Sequence, residues 1–479
     1  MKFNNIFGNP PFQDNDNRKK TQHKLWPEFT LKAVDEWLEA DGNLVWITPQ
    51  SWGSPSNKIL QLFKDKQVES INLDTKEHFP DIGSTFSHYH VVNTDSNGAT
   101  TISKDSNSFS FTIDDSVLYF PNDFNNISIE IHNKVMFNDE DKYTINYDYV
   151  TCHNVIRHAH KLHQKKIDNK ADLLKKCIST SKATAISNDI VDLIRQKNSI
   201  DITISETKTN KHTHPVHHTN NKTWYSSIKQ DFADKKKVMW SRSGYTKPFY
   251  DNGTLGGTDM CYYILVDTDT EGQEVNNFLN SDLMTYIFKT AKWSGFGNEI
   301  VFSNIPKVDL SKCKTQKDYY NLFGITQKEI DYINVIIGKS TDNISSTKKS
   351  EIKSKKRVKS LGEVFTPREL VDEMLEQVPN PIWQDKQQTF IDPACGNGNF
   401  LVRILSKRLD NGISYEDALS TLYGIDIMQD NIDDCHERLI QVLENNNIKY
   451  NKKKVQKILE SNVVVSNSLI KSMKEIFDK

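Results

Sequence analysis

Residues 388–409 read QTFIDPACGNGNFLVRILSKRL, and the fold follows from how this stretch divides. QTFID is a short apolar, β-rich run, PACGNGN a glycine turn, and FLVRILSKRL places its apolar residues at helical spacing. A strand passing straight into a helix through Gly396 and Gly398 predicts one βα unit of a parallel α/β sheet. Glycine suits those positions because the turn is tight and a ligand must approach bare backbone. The helix N-terminal amides then face a polar or anionic group. Asp392 lies at the tip of the strand, and Asp426 in LYGIDI (422–427) ends the next one, where a carboxylate can accept both hydroxyls of a ribose. Position 401 is Leu401, where a nicotinamide fingerprint needs a third glycine or alanine. The ligand expected is therefore adenosine-bearing and not NAD; the alternative is an empty structural turn.

Working outward, residues 1 to 125 alternate short apolar runs with helical stretches, again an α/β texture. FNNIFG (3–8), NLVWIT (43–48), VESINLD (68–74) and FSHYHVV (86–92) read as strands, and LWPEFTLKAVDEWLEADG (25–42) as a helix stopping at Gly42. Residues 126–345 are richer in Asn, Thr, Lys, His and aromatics and are less regular. They run into SSTKKSEIKSKKRVKS (345–360), whose cations face only Glu351, the composition of a solvated linker. Residues 346–479 return to α/β texture: FTPRELVDEMLEQV (365–378) predicts a helix N-capped by Thr366, and NVVVSN (462–467) a further strand.

Directly after the first strand stands Asn9-Pro10-Pro11-Phe12. Two consecutive prolines fix φ and remove two donors, leaving rigid carbonyl acceptors. The Asn9 amide oxygen and the Pro10 carbonyl can hold the two hydrogens of an NH2 group while Phe12 offers a flat face to a ring. Such a site aims an amine lone pair by positioning. The alternative is a proline turn with a buried phenyl ring.

Together, DPACGNGNF and NPPF resemble the amino-methyltransferases, in particular the N6-adenine DNA methyltransferases of type I and type IIG restriction-modification systems. LGEVFTPRELVDEML (361–375), LWPEFTLKAVDEWLEADGNLVWITPQSW (25–52), FPDIGSTFSHYHVV (79–92) and FLNSDLMTYIFKTAKWSGFGNEIVFSNIPKVDL (278–310) extend the likeness. The resemblance implies a class I S-adenosylmethionine-dependent methyltransferase with a Rossmann-like seven-stranded sheet. It implies that Phe365, Thr366, Asp392, Pro393, Ala394, Cys395, Gly396, Gly398, Phe400 and Asp426 bind S-adenosyl-L-methionine. Asn467 stands where the family's third strand ends in an acid, and its amide oxygen can still accept a hydrogen bond. In the nearest relatives the glycine loop precedes NPPF; here the order is reversed, and the chain's two ends join into the family's order. The fold expected is therefore circularly permuted, with residues 126–345 inserted as a target recognition domain and linker between two half-domains, 1–125 and 346–479.

The implied activity is methylation of the N6 amine of adenine in double-stranded DNA after base flipping, with Asn9, Pro10, Pro11 and Phe12 as the catalytic set. NPPF in place of an SPP motif favours adenine over the N4 amine of cytosine. Candidates for DNA contact are Arg242, Tyr245, Lys247, Tyr250, Lys292, Trp293 and Phe296. Rival functions are methylation of RNA or protein glutamine, a catalytically silent DNA-binding specificity module, and a bifunctional restriction enzyme; a separate restriction endonuclease or specificity subunit would be a partner.

The six cysteines are scattered without a CxxC pair, against a disulfide framework or a cysteine zinc site. No apolar run reaches the roughly 18 residues that span a bilayer, and the N-terminus lacks a secretory pattern, so a cytoplasmic protein is expected. His212, His214, His217 and His218 in KHTHPVHHTNN match no standard metal spacing and are expected in a polar loop of the recognition domain, with no metal bound. Glu206-Thr207-Lys208, closing what reads as an alternating strand in IDITISETK, has the form of a nuclease core but lacks a partner acid on a preceding strand; Asp192 is the acid to test.

Overall fold

The computed structural model describes residues 1–14, 23–55, 57–79, 85–148, 154–175, 180–199, 202–219, 222–242, 247–292, 299–339 and 366–477. The chain forms two compact units, residues 1–120 with 343–479, and residues 121–342. Among the described residues no helix is long and apolar enough to cross a membrane.

The first unit is built on one sheet of nine strands: β1 (Phe3–Gly8), β2 (Leu38–Pro49), β3 (Lys66–Asn72), β4 (Phe86–Asp95), β5 (Ala99–Lys104), β6 (Asn107–Thr112), β7 (Phe390–Asp392), β8 (Leu422–Asp426) and β9 (Val463–Val465). Their order across the sheet is β9-β8-β7-β1-β2-β4-β3-β5-β6. From β9 to β2 all neighbours are parallel, and β4 runs antiparallel to both β2 and β3. All seven stretches read as strands belong to this sheet. The expected count of seven is corrected to nine, because ATTISK and NSFSFT add an antiparallel hairpin at the β3 edge.

At the sheet's centre, strands from the two ends of the chain lie side by side, and polar side chains fasten them. Asn4 Oδ1 accepts from Thr389 N and Oγ1 at 3.1 and 2.9 Å. Buried Asn5 donates to Gln388 Oε1 at 2.9 Å, accepts from Asn43 Nδ2 at 3.0 Å, and Asn43 Oδ1 accepts from His90 Nε2 at 2.8 Å. Burial pushes the His90 pKa down to about 4, so the ring is neutral and donates through Nε2. This relay satisfies polar groups that would otherwise be costly inside a sheet.

Helices cover the sheet: α1 (Trp26–Lys32), α2 (Lys58–Asp65), α3 (Arg368–Leu375), α4 (Asn399–Asp410), α5 (Gln429–Asn445) and α6 (Lys452–Asn462). Phe7, Val45 and Ile47 from β1 and β2, Leu370 and Met374 from α3, and Phe400, Leu401 and Ile404 from α4 share one core. Arg408 of α4 is fully buried; it donates to the Gln388 and Asp385 carbonyls and to Thr421, and lies 4.9 Å over the Phe390 ring. Burial lowers its pKa only to about 10, so the guanidinium stays charged and ties α4 to the start of β7.

Two helix boundaries differ from the sequence reading. The helix opened by Trp26 widens into a π turn at Ala33–Trp37, and β2 begins at Leu38, so Gly42 lies inside a strand. A side chain there would meet the Asn4 carbonyl at 2.9 Å; β2 bulges at this point, and its register against β1 shifts. The N-cap of α3 is Pro367, not Thr366, because the Thr366 hydroxyl accepts from Asn9 instead.

The second unit holds a helix pair, Asn154–Lys175 with Thr180–Ser199, a four-stranded and a three-stranded sheet, and further helices. The histidine stretch is corrected from loop to strand: His214–His218 pairs with Lys222–Ser226. His217 and His218 are buried, the His218 ring lies tilted against Trp224 with centroids 3.9 Å apart and bonds Thr258, and His212 bonds Thr209 and the Ile202 carbonyl. Among the described residues of IDITISETK, Ile204–Ser205 forms the strand, and Glu206 to Lys208 lie beyond it. Asp192 sits on an exposed helix turn, paired with Arg195. Among the described residues no His, Cys, Asp and Glu group could hold a metal ion.

Candidate active site

Four parallel strands, β1, β7, β8 and β9, end on the same edge of the sheet, and residues at or after the end of each line one solvent-open cavity. Asn9 and Pro11 come from after β1, Asp392 from the end of β7 with Pro393 to Gly396 after it, Asp426 from the end of β8, and Ser466 to Ser468 from after β9. Crevices at the carboxyl ends of parallel strands are where open α/β sheets bind ligands. The two stretches singled out in the sequence, separated by more than 370 residues, thus face one space.

The glycine turn is shaped by its neighbours. Gly396 and Gly398 take φ of +51° and +86°, and a Cβ on Gly398 would lie 2.3 Å from Cys435 Sγ. Gly396 N donates to Asp426 Oδ2 at 3.0 Å, while Asp426 Oδ1 accepts from Met428 N and Asn431 Nδ2. Arg438 braces the turn from α5 by donating to the Asn397 carbonyl and Asn399 Oδ1, each at 2.7 Å. Cys395 is buried beside Cys435, and both the contact and burial push its thiol pKa well up, so it stays protonated.

Asp392 is 2% exposed. Burial raises its pKa to about 8; the Ala394 amide opposes this by donating to its carboxylate, and the nearby charge of Asp426 adds to the rise. Gly8, the last residue of β1, is needed here: a Cβ would meet Asp392 Oδ1 at 2.9 Å and the Trp46 ring at 2.8 Å.

Asn9 Nδ2 donates to Thr366 Oγ1 at 3.4 Å, and Asn399 Nδ2 donates to the Thr366 carbonyl at 2.8 Å, so Thr366 bridges the NPPF stretch and the glycine turn. Pro10 is buried and Phe12 half-buried; neither lines the cavity, nor does Gly398, whereas Phe400 does. Phe12 stacks on Phe86 of β4 with centroids 5.2 Å apart, and Phe86 meets Phe79 edge-on at 5.5 Å. Asn467 lines the cavity while its Oδ1 accepts from Leu469 N at 3.0 Å. Phe365 lies outside the described residues.

Sequence reasoning missed Ile427, Met428, Asn431, Asn399, Ser466, Ser468 and Phe29 in the lining. Ile427 carried a usable signal: an apolar residue directly after a strand-ending acid, here 55% exposed.

Residues 352–468 match the family model described as N-6 DNA Methylase. That segment is similar to the N-6 DNA methylase family. It contains Thr366, the Asp392 turn, Asp426 and Asn467, and is roughly a quarter of the chain; the NPPF stretch lies outside it. No curated protein matches the chain. Among solved structures the chain is similar to a nuclease-deletion mutant of the Type ISP restriction-modification enzyme LlaGI in complex with a DNA substrate mimic (9% identity, 67% of this chain and 41% of that one, TM-score 0.35). It is similar to a DrdV-DNA complex (12%, 67% and 44%, 0.30) and to the type IIG restriction endonuclease BpuSI (9%, 64% and 45%, 0.23). The chain spans less than half the length of these three structures, and likeness at this level carries no argument about function.

The recognition candidates fall in the second unit. Arg242 pairs with Glu299 and lies over the Tyr262 ring. Tyr250 donates to Asp269, which pushes its pKa up to about 12. Lys247 is exposed, and Lys292 lends its carbonyl to Asn122. Tyr245, Trp293 and Phe296 lie outside the described residues.

Proposed function

We propose that this chain is a site-specific DNA methyltransferase that transfers a methyl group from S-adenosyl-L-methionine to the N6 amine of adenine. Its catalytic unit would be a circularly permuted class I methyltransferase domain, with residues 121–342 as the target recognition domain. The observation that carries this is the single cavity lined both by Asn9 and Pro11 and by the Asp392–Gly396 turn with Asp426. The N-6 DNA methylase match over residues 352–468 supports the same reaction class.

The residues present fit the cofactor. Asp426 can accept ribose hydroxyls, exposed Ile427 offers an apolar face to adenine, and Asp392 offers a carboxylate to a cationic group. When bound, the cofactor supplies an electrophilic sulfonium methyl. This chain's residues then act by positioning. With its amide nitrogen turned to Thr366, Asn9 presents its oxygen to one amine hydrogen and the Pro10 carbonyl takes the other, which aims the lone pair. Phe12, backed by Phe86, stacks on the flipped base; such stacking is worth roughly 1–3 kcal/mol against an extrusion cost of a few kcal/mol. The amine proton leaves to solvent after transfer, so no covalent nucleophile is required.

Duplex DNA of mixed sequence incubated with radiolabelled cofactor should yield label in N6-methyladenine on nucleoside analysis, and Asn9→Ala should reduce it at least 100-fold, on the order of the loss of a transition-state contact. Label in N4-methylcytosine would overturn the base assignment. Absence of label in any DNA base, with cofactor bound, would overturn the reading.

A further inference from the structure

The helix pair Asn154–Lys175 and Thr180–Ser199 contributes nothing to the cavity. Segment 154–199 carries ten Lys or Arg against four Asp, a net +6 within a chain whose total is −2. The acids are answered inside the pair: Asp189 by Lys170, Asp172 by Lys175, Asp192 by Arg195, and Asp168 by Gln164. Three of the other cations cluster on the first helix. Lys161, Lys165 and Lys166 are exposed at i, i+4 and i+5 of the first helix and enter no ion pair with a described residue. Along the axis they span about 7.5 Å, a length over which a duplex carries about four phosphate charges. Beside them, burial and then the charges of Lys197 and His163 hold His160 below its ordinary pKa, which agrees with a positive local field.

Exposed Leu162, Leu173, Val191 and Ile194 on the same helices would also suit a second copy of the chain. That contact would set +6 against +6, a juxtaposition that disfavours association. A polyanion is the complementary occupant.

We propose that this helix pair is an electrostatic arm that holds the phosphate backbone of duplex DNA independently of sequence, through Lys161, Lys165 and Lys166. The proposal rests on the DNA-methyltransferase reading above. The test measures binding of a mixed-sequence duplex of about 30 base pairs across a salt series, for the full chain and for Lys161→Ala/Lys165→Ala/Lys166→Ala. Loss of three phosphate contacts should lower the slope of log K against log salt by about 2 to 3 and weaken binding equally on all sequences, with cofactor affinity unchanged. A control with the same charge loss on another helix, Lys452→Ala/Lys453→Ala/Lys457→Ala, should keep the slope. An unchanged slope in the arm variant, an equal loss in the control, or a wild-type dimer that the arm substitutions convert to monomer each overturns the arm. Should wild type retain no duplex at low salt, the DNA reading itself falls; should wild type bind and methylate while the arm variant keeps its slope, only the arm falls.

Discussion

Asp392 combines burial in the core with a place on the cavity wall, and its raised pKa is the result. A carboxyl with a folded pKa near 8 and an unfolded one near 4 stays protonated in the free protein at neutral pH; its effect on stability is fully present below pH 4 and is lost as pH rises to about 8. A cationic ligand beside it reverses the preference by favouring the ionised form. Affinity for S-adenosylmethionine should therefore rise from pH 6 toward pH 8, by at most about tenfold per unit, and Asp392→Asn should flatten that rise. Calorimetric titration across this range is the check, and a wild-type affinity independent of pH would contradict it. Gly398 makes a second prediction. Its φ of +86° costs about 1–2 kcal/mol for any L side chain, and the Cys435 thiol occupies the space a Cβ needs. Gly398→Ala should lower both thermal stability and cofactor affinity; adding Cys435→Ala should recover the part due to the clash and leave the part due to φ. Equal deficits in the single and double variants would show that the contact with Cys435 is immaterial.

Among elements, the pairing of β1 with β7 depends on side chains as much as on backbone. Asn5→Ala strands the Asn43 amide nitrogen inside the sheet, at about 1–3 kcal/mol for a buried group left unsatisfied; the urea midpoint should fall by the matching amount, whereas Asn122→Ala in the other unit should scarcely move it. Seven strands were legible because each carries a compact apolar or β-branched run that tolerates few other placements. The hairpin of ATTISK and NSFSFT was not, since serine and threonine alternate there with too little apolar weight to stand out from a loop. Gly42 illustrates the opposite failure: glycine after a helical stretch is a normal stop signal, but the register of β2 against β1 ends the helix five residues earlier. In the site, Asp392, Gly396, Asp426 and Asn9 could be read from local chemistry. Arg438, Asn431 and the Thr366–Asn9 contact could not, because they are brought in by packing between elements distant in sequence.

At the scale of the whole molecule, four of the buried histidines among the described residues are held neutral: His88 and His90 in one unit, His132 and His217 in the other, with pKa values pushed down to about 4, 4, 3 and 4 by burial. A depressed folded pKa means that stability is present above the unfolded value near 6.5 and is lost as pH falls toward 4, since the unfolded chain takes up the protons. At pH 5.5 each unit should have lost about 3 kcal/mol. Urea unfolding at pH 7.5 and 5.5 measures this, and coincident curves would refute it. The seam between β1 and β7 has one more consequence, for synthesis. Its partners are about 385 residues apart, so when the first 120 residues have left the ribosome, the inner edge of β1 has nothing to pair with. At about 5–20 residues per second, the roughly 270 residues still to come occupy about 15–55 s. Through that interval half a sheet, with Phe7 and Val45 uncovered, must avoid other chains, while the segment translated next has time to fold. The nascent chain, more than the finished protein, is where this topology needs a chaperone.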